Sequence, residues 1–159
     1  MSLEATVYCD CYERGRMRTP PQPEFVLLEE DGGLTLDCDQ PGVDQDAFNR
    51  WRATACEHGQ WGELVSHRLG NITLITFLRE LLSTQPQRFP ILLSKVLYNG
   101  VHCGDFLSSA EVGLLAIEVE RLKEIHAVQE SDEPFIRRFE LQMRELAEAA
   151  QSVGKPIAF

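Results

Sequence analysis

The hydrophobic pattern of the chain changes its period once, near Pro41-Gly42, and this change restricts the fold more than any other feature. Short apolar runs before it alternate with a period of two, which is typical of half-buried strands. Apolar residues after it recur every three to four positions, as in amphipathic helices. Because strands come early and helices late, a doubly wound α/β fold is disfavoured. We expect an α+β fold, with a small, mainly antiparallel sheet from the N-terminal third packed against four to five helices.

Three strands are predicted in the N-terminal third. Residues 4–11 alternate so that Val7, Cys9 and Cys11 share one face. Residues 25–30 and 34–38 flank Asp31-Gly32-Gly33, whose glycines suit the tight connection of a β-hairpin. Residues 60–70 are predicted to form a loop or a short turn, and residues 155–159 a short edge strand. No repeat or long linker divides the chain, so residues 1–159 are expected to form a single domain.

Helix ends are marked by capping residues. Asp44 or Asp46 caps a first helix that is expected to stop near Gly59, and Asn71 caps a second over residues 72–84. Residues 91–98 are predicted to be helical because proline precedes them and Asn-Gly follows. The last two helices begin at the capping box Ser108-x-x-Glu111 and at Asp132-Glu133-Pro134, the latter ending at Gly154.

Charge and cysteine content narrow the partners and the compartment. Fifteen basic and 25 acidic side chains give a formal charge of −10, which disfavours binding to nucleic acid or to anionic membrane surfaces. The longest mainly apolar stretch, residues 72–82, is too short to cross a bilayer. Five cysteines without a regular framework, and no secretory signal, favour reduced thiols and a cytoplasmic location. A protein partner is the expected binding target.

Sulfur and imidazole ligands recur along the chain and permit a zinc site, because tetrahedral zinc prefers thiolate and neutral imidazole. The candidates are Cys9, Cys11, Cys56, His58, His102 and Cys103. None of the spacings reproduces the paired Cys-x-x-Cys motifs of zinc ribbons, and on an ideal helix Cys56 and His58 lie about 200° apart. The alternative interpretation is that the cysteines are small buried hydrophobic residues and that no cofactor is bound.

Enzyme signatures are sparse. Cys103 beside His102 suggests a thiol nucleophile, although side chains of adjacent residues seldom face each other. Ser66, His67 and Arg68 lack the glycines of a nucleophile elbow, and His67 and Arg68 are expected to anchor a loop by binding carbonyls or carboxylates. Common phosphate-loop, dinucleotide and zinc-protease motifs are absent. A thiol- or metal-dependent hydrolase is therefore the alternative, and a non-enzymatic protein is favoured.

Two C-terminal segments carry a family resemblance: Tyr98-Asn99-Gly100-Val101-His102-Cys103-Gly104-Asp105-Phe106-Leu107 and Gly154-Lys155-Pro156-Ile157-Ala158-Phe159. Together with the capped helix between them, they resemble small bacterial immunity proteins of polymorphic toxin systems. The resemblance covers the C-terminal third to half of the chain. It implies a domain that binds and blocks a toxin and catalyses nothing, and an acidic surface suits a basic toxin. The expected partner-binding residues are Asp37, Asp39, Asp44, Asp46, Trp61, Tyr98, His102 and Asp105.

Overall fold

A computed structural model describes residues 2–99 and 102–159. Its strands are β1 (Ser2–Tyr8), β2 (Val26–Leu28), β3 (Leu34–Leu36), β4 (Glu63–Asn71), β5 (Phe106–Leu107) and β6 (Ile157–Ala158). Its α-helices are α1 (Gln45–Arg52), α2 (Ile72–Leu82), α3 (Ser109–Leu122) and α4 (Glu133–Val153), and Leu92–Val96 forms a π-helix. The predicted α+β class is confirmed.

The main sheet has the strand order β4-β1-β6-β5, and all of its pairs are antiparallel. Thr6 in β1 pairs with Ser66 on one side and with Ala158 on the other. Residues 60–70 were predicted to form a loop or a short turn, which is wrong from residue 63 on, because β4 pairs along the whole of β1. Only one of the four strands therefore comes from the N-terminal third.

The C-terminal strand lies inside the sheet, between β1 and β5, so its prediction as an edge strand is wrong. Ile157 is fully buried there and Ala158 nearly so. Phe159 continues the pairing, since its N–H donates to the carbonyl of Asp105 and its carbonyl accepts from Gly104, both at 2.9 Å. The apolar side chains and the paired backbone explain why this short segment occupies the interior.

The β2–β3 hairpin is confirmed, with Val26 opposite Leu36, although each strand has only three residues. The first strand ends at Tyr8, three residues before the predicted end. A turn begins directly after it, in which the N–H of Arg14 bonds to the carbonyl of Asp10 at 3.1 Å. Cys9 and Cys11 consequently lie beyond the end of β1, with Cys11 inside this turn.

The predicted capping residues are confirmed for three helices. Asp44 accepts the N–H of Ala47 at the start of α1, and Asn71 accepts the N–H of Leu74 at the start of α2. The capping box at Ser108 is complete, and Gly154 ends α4 with a φ of 66°. Asp132 precedes α4 without a side-chain capping bond. The predicted end of the first helix near Gly59 is wrong, because α1 stops at Arg52.

The predicted helix over residues 91–98 is a π-helix, in which the N–H of Leu97 bonds to the carbonyl of Leu92 at 2.7 Å. Its first turn is held by the buried carboxylate of Glu118 on α3. The two oxygens of Glu118 accept the N–H groups of Ile91 and Leu92, at 2.8 and 2.9 Å. Burial raises the pKa of Glu118, and these two backbone bonds oppose that shift.

Buried apolar side chains form two clusters. The main core lies between the four-stranded sheet and helices α2, α3 and α4, and it includes Leu3, Val7, Leu78, Leu115, Phe139 and Leu146. The N-terminal core comprises Leu34, Leu36, Phe48, Trp51 and Ala55, from the hairpin and the α1 region. Across residues 2–99 and 102–159, no helix has the length and apolar character that spanning a membrane requires.

Candidate metal centre

The first two candidate ligands lie immediately after β1. The N–H of Cys9 donates to the carbonyl of Gly62 at 2.8 Å, which continues the pairing of β1 with the start of β4. The carbonyl of Cys11 accepts the N–H of Arg16 at 2.7 Å. These backbone bonds fix the turn, and both thiols are almost fully buried within it, at 4% and 3% exposure.

The other two candidate ligands follow α1. Because α1 ends at Arg52, Cys56 and His58 lie in the irregular segment beyond it, and the angular separation expected on a helix does not apply. Ala55 is buried in the N-terminal core, which positions Cys56 directly at the edge of that core. The Sγ of Cys56 lies 3.8 Å from the Nδ1 of His58.

The four side chains converge on one point. The Sγ atoms of Cys9 and Cys56 are 3.8 Å apart, and the Sγ of Cys11 lies 3.3 Å from the Nδ1 of His58. All four ligand atoms lie within 4.8 Å of one another. Zinc bonds of about 2.3 Å to sulfur and about 2.0–2.1 Å to nitrogen give tetrahedron edges of about 3.8 Å between sulfurs and about 3.6 Å between sulfur and nitrogen. The arrangement, named the Cys/His cluster below, has the size of a zinc site.

A disulfide does not account for this convergence. All five cysteines are free, and the 3.8 Å between Cys9 and Cys56 is nearly twice the length of about 2.05 Å for a sulfur–sulfur bond. If these cysteines only filled a core, no histidine nitrogen would need to lie beside their sulfur atoms. The cluster therefore differs from the interpretation in which the cysteines are merely buried hydrophobic residues.

Burial sets the protonation of the thiols when no cation is bound. It raises the pKa of Cys9 to about 12, although the backbone amide of Cys11 opposes the shift. Burial likewise raises the pKa of Cys11. A bound divalent cation reverses this preference, because it coordinates the thiolate and displaces the proton.

The backbone at Trp61 and Gly62 passes close to the Cys/His cluster. Both residues have positive φ values, of 70° and 75°, and they lead into β4. A Cβ added at Gly62 would lie 3.2 Å from the Cε of Met17 and 3.5 Å from the Sγ of Cys9. A glycine here lets the backbone pass close to the cluster while it adopts a left-handed conformation.

His102 and Cys103 are not part of the cluster. The Nε2 of His102 bonds to the carbonyl of Val96 at 2.9 Å, and its Nδ1 lies 3.3 Å from the carboxylate of Asp105. The hydroxyl of Tyr98 also bonds to Asp105. Cys103 is exposed. In the part of the chain that the structure describes, no contact joins the thiol of Cys103 to the imidazole of His102. His102 instead connects the carbonyl of Val96 to the carboxylate of Asp105, just before β5.

The residues predicted to bind a partner occupy three places. Asp39 and Asp44 are exposed between β3 and α1, and Asp46 is exposed in the first turn of α1. Asp37, directly after β3, is half-buried and accepts a bond from Gln40. Tyr98 and His102 both contact Asp105, as described above. Gly100 and Val101 of the same predicted loop lie outside the described residues. Trp61 is half-buried, with the guanidinium of Arg52 4.9 Å from its ring.

The Ser66, His67 and Arg68 segment forms no hydrolytic triad. Ser66 bonds across the sheet to Thr6 at 2.9 Å, and the Nε2 of His67 bonds to Glu145 at 2.7 Å. His67 thus binds a carboxylate as predicted, although it lies in β4 and does not anchor a loop. For Arg68 the predicted anchoring is wrong, because its guanidinium binds no carbonyl or carboxylate among the described residues.

Comparisons with known proteins yield no relatives. No protein-family model matches the chain, and neither the curated proteins nor the solved structures give a significant match. The resemblance to immunity proteins therefore stays a prediction.

Proposed function

We propose that this protein is a zinc-binding domain in which Cys9, Cys11, Cys56 and His58 hold one structural zinc ion. The observation that carries the proposal is the convergence of the four ligand atoms within 4.8 Å. Three sulfurs and one imidazole nitrogen form one of the ligand sets that structural zinc sites use. The ligands come from two segments far apart in the sequence, so the ion would fasten the end of β1 to the segment after α1.

The ligand set favours a structural over a hydrolytic role. Catalytic zinc usually keeps one position open for water and has three protein ligands, whereas four protein ligands close the tetrahedron. Soft thiolates also favour zinc over magnesium or calcium, which prefer oxygen. A hydrolase built on this cluster is therefore the weaker alternative.

Metal content tests the proposal directly. We expect one zinc per chain in protein purified without chelators, and cobalt substitution should give the absorption bands of a tetrahedral site with thiolate ligands. Cys11→Ser and Cys56→Ser should lose the zinc, and His58→Cys should retain it. Cys38→Ser and Cys103→Ser are matched controls, because both cysteines are exposed and lie outside the cluster. Zinc-free wild-type protein, or Cys11→Ser that holds zinc as tightly as the wild type, would refute the proposal.

A second candidate function is the neutralisation of a basic protein, as the resemblance to immunity proteins implies. It is supported by the exposed carboxylates of Asp39, Asp44 and Asp46 and by the net charge of −10. Such a surface attracts a cationic partner and accelerates its association. The zinc ion would then act indirectly, by ordering the region that carries these carboxylates.

If a toxin is encoded beside its gene, co-expression with that toxin tests this second function. We expect growth rescue by the wild type and weaker rescue by the double variant Asp39→Asn, Asp46→Asn. Asp44 is left unchanged because it caps α1. Glu148→Gln, an exposed carboxylate on α4, is the matched control. Absence of rescue by the wild-type protein would contradict the immunity function and leave the zinc proposal untouched.

A further inference from the structure

One cavity lies apart from the Cys/His cluster. It has a volume of about 780 Å³ and lies where the end of β4 meets the N-terminal ends of α2 and α4. None of the four zinc-ligand candidates lines it. Its volume falls within the range of about 300–1,000 Å³ that is typical of small-molecule sites.

Two arginines line this cavity without a protein partner. Among the described residues, the guanidinium groups of Arg68 and Arg138 form no ion pair and donate no hydrogen bond. Arg50 is likewise unpaired within the described ranges, and the guanidinium of Arg52 lies over the ring of Trp61. The chain has ten more acidic than basic side chains, so carboxylates are abundant. Arg14, Arg88, Arg137 and other basic residues are paired with them. Both arginines of this cavity therefore remain unpaired in the described part of the chain although carboxylates are abundant, which favours an anionic ligand.

Three large apolar side chains also line the cavity. Leu74 and Phe77 come from α2, and Phe135 comes from the first turn of α4. Phe135 remains 43% exposed, which leaves much of its ring uncovered by protein. The positive dipole ends of two helices, with 11 and 21 residues, also border the cavity and add to its preference for an anion.

The net charge of the side chains that line the cavity indicates how much negative charge a ligand can carry. Asp132 also lines the cavity, so its ionised lining carries two positive charges and one negative charge. A polyphosphate would be repelled by that carboxylate, whereas a single carboxylate would be neutralised. We propose that the cavity binds a small organic monocarboxylate with an aromatic or aliphatic body. Its carboxylate is held by Arg68 and Arg138, and its body packs against Phe77 and Phe135.

Titration of the ¹⁵N-labelled full-length protein tests the site with three probes. 3-Phenylpropanoate should shift the amide resonances of residues 68–77 and 132–138 in a saturable way. The uncharged isostere 3-phenylpropanamide should bind at least about tenfold more weakly, because a hydrogen bond to a charged group contributes about 1.5–3 kcal/mol. Equal binding of acid and amide would overturn the proposal, and so would tighter binding of phenyl phosphate than of the carboxylate.

Three arginine variants separate this site from general electrostatic attraction. Arg68→Gln and Arg138→Gln should each weaken 3-phenylpropanoate binding by about tenfold or more. Arg50→Gln is the matched control, because Arg50 is also exposed and unpaired among the described residues but lies on α1. All three should melt at the wild-type temperature, since these side chains hold no protein group. Equal weakening in all three variants, or none in Arg68→Gln and Arg138→Gln, would refute the site.

Discussion

The two hydrophobic clusters differ sharply in size. Among the described residues, the main core has 24 buried apolar side chains and the N-terminal core has five, so only the former can stabilise its part of the chain by burial alone. Small units with few buried side chains commonly depend on disulfides or metal ions. The Cys/His cluster lies at the edge of the N-terminal core, where a metal ion would supply the missing stability.

Polar contacts connect the N-terminal region to the main sheet. Besides the Cys/His cluster, an ion pair joins the buried ammonium group of Lys155, next to β6, to Glu13 in the turn after β1. The Nζ of Lys155 also lies 3.5 Å from the carbonyl of Gly32 in the hairpin. These polar contacts orient the hairpin against the main sheet. They bury little apolar surface, so we expect the metal to dominate the coupling.

Zinc removal should have the largest effect and should separate the two regions. With a chelator, we expect amides of the N-terminal core to lose protection from hydrogen exchange by about a thousandfold or more, equivalent to about 4 kcal/mol. Amides of α3 and α4 should keep theirs, because the main core holds them. Exchange spectra with and without chelator measure both. Equal loss of protection in the two regions would show that they unfold as one unit and would contradict the comparison.

The same comparison explains which parts of the fold could be predicted. Helices α2, α3 and α4 carry long apolar stripes and capping residues, and their N-terminal starts were predicted correctly. The strand β4 was missed because its outer face bears Ser66 and Arg68, which resemble loop residues. Only its pairing with β1 makes it a strand. That pairing spans about 60 residues of sequence and leaves no local pattern.

The candidate metal site was predictable in residue type but not in geometry. The sequence contains the right ligands, yet an extended first helix would have directed Cys56 and His58 to different sides. The early end of α1 at Arg52 removes that obstacle. The anion cavity had no sequence signal at all, because Arg68 and Arg138 are 70 residues apart and meet only through the tertiary fold.

One substitution type, glycine to alanine, should have opposite effects in the two regions. Gly62→Ala, beside the Cys/His cluster, should lower the free energy of unfolding by about 1–2 kcal/mol, since alanine is strained at a φ of 75°. Gly113→Ala in α3 should raise it by about 0.5–1 kcal/mol, because a Cβ there meets no atom within 4 Å and alanine favours helix. Urea unfolding of the zinc-loaded proteins measures both, and effects of the same sign would contradict this contrast.

The smallest expected effect concerns the response of the main core to acid, through one carboxylate on α4. Glu133 at the start of α4 accepts the N–H of Ala127 at 2.8 Å and a bond from Arg137 at 2.9 Å. These bonds lower the pKa of Glu133 from its ordinary 4.5 to about 2. Its stabilisation is therefore complete above pH 4.5 and is lost as the pH falls towards 2. Thermal melts should show Glu133→Gln less stable than the wild type at pH 6 and equal to it at pH 2, with Glu148→Gln unchanged at both. A difference between Glu133→Gln and wild type that persists at pH 2 would mean that the lost stability comes from packing and not from the carboxylate.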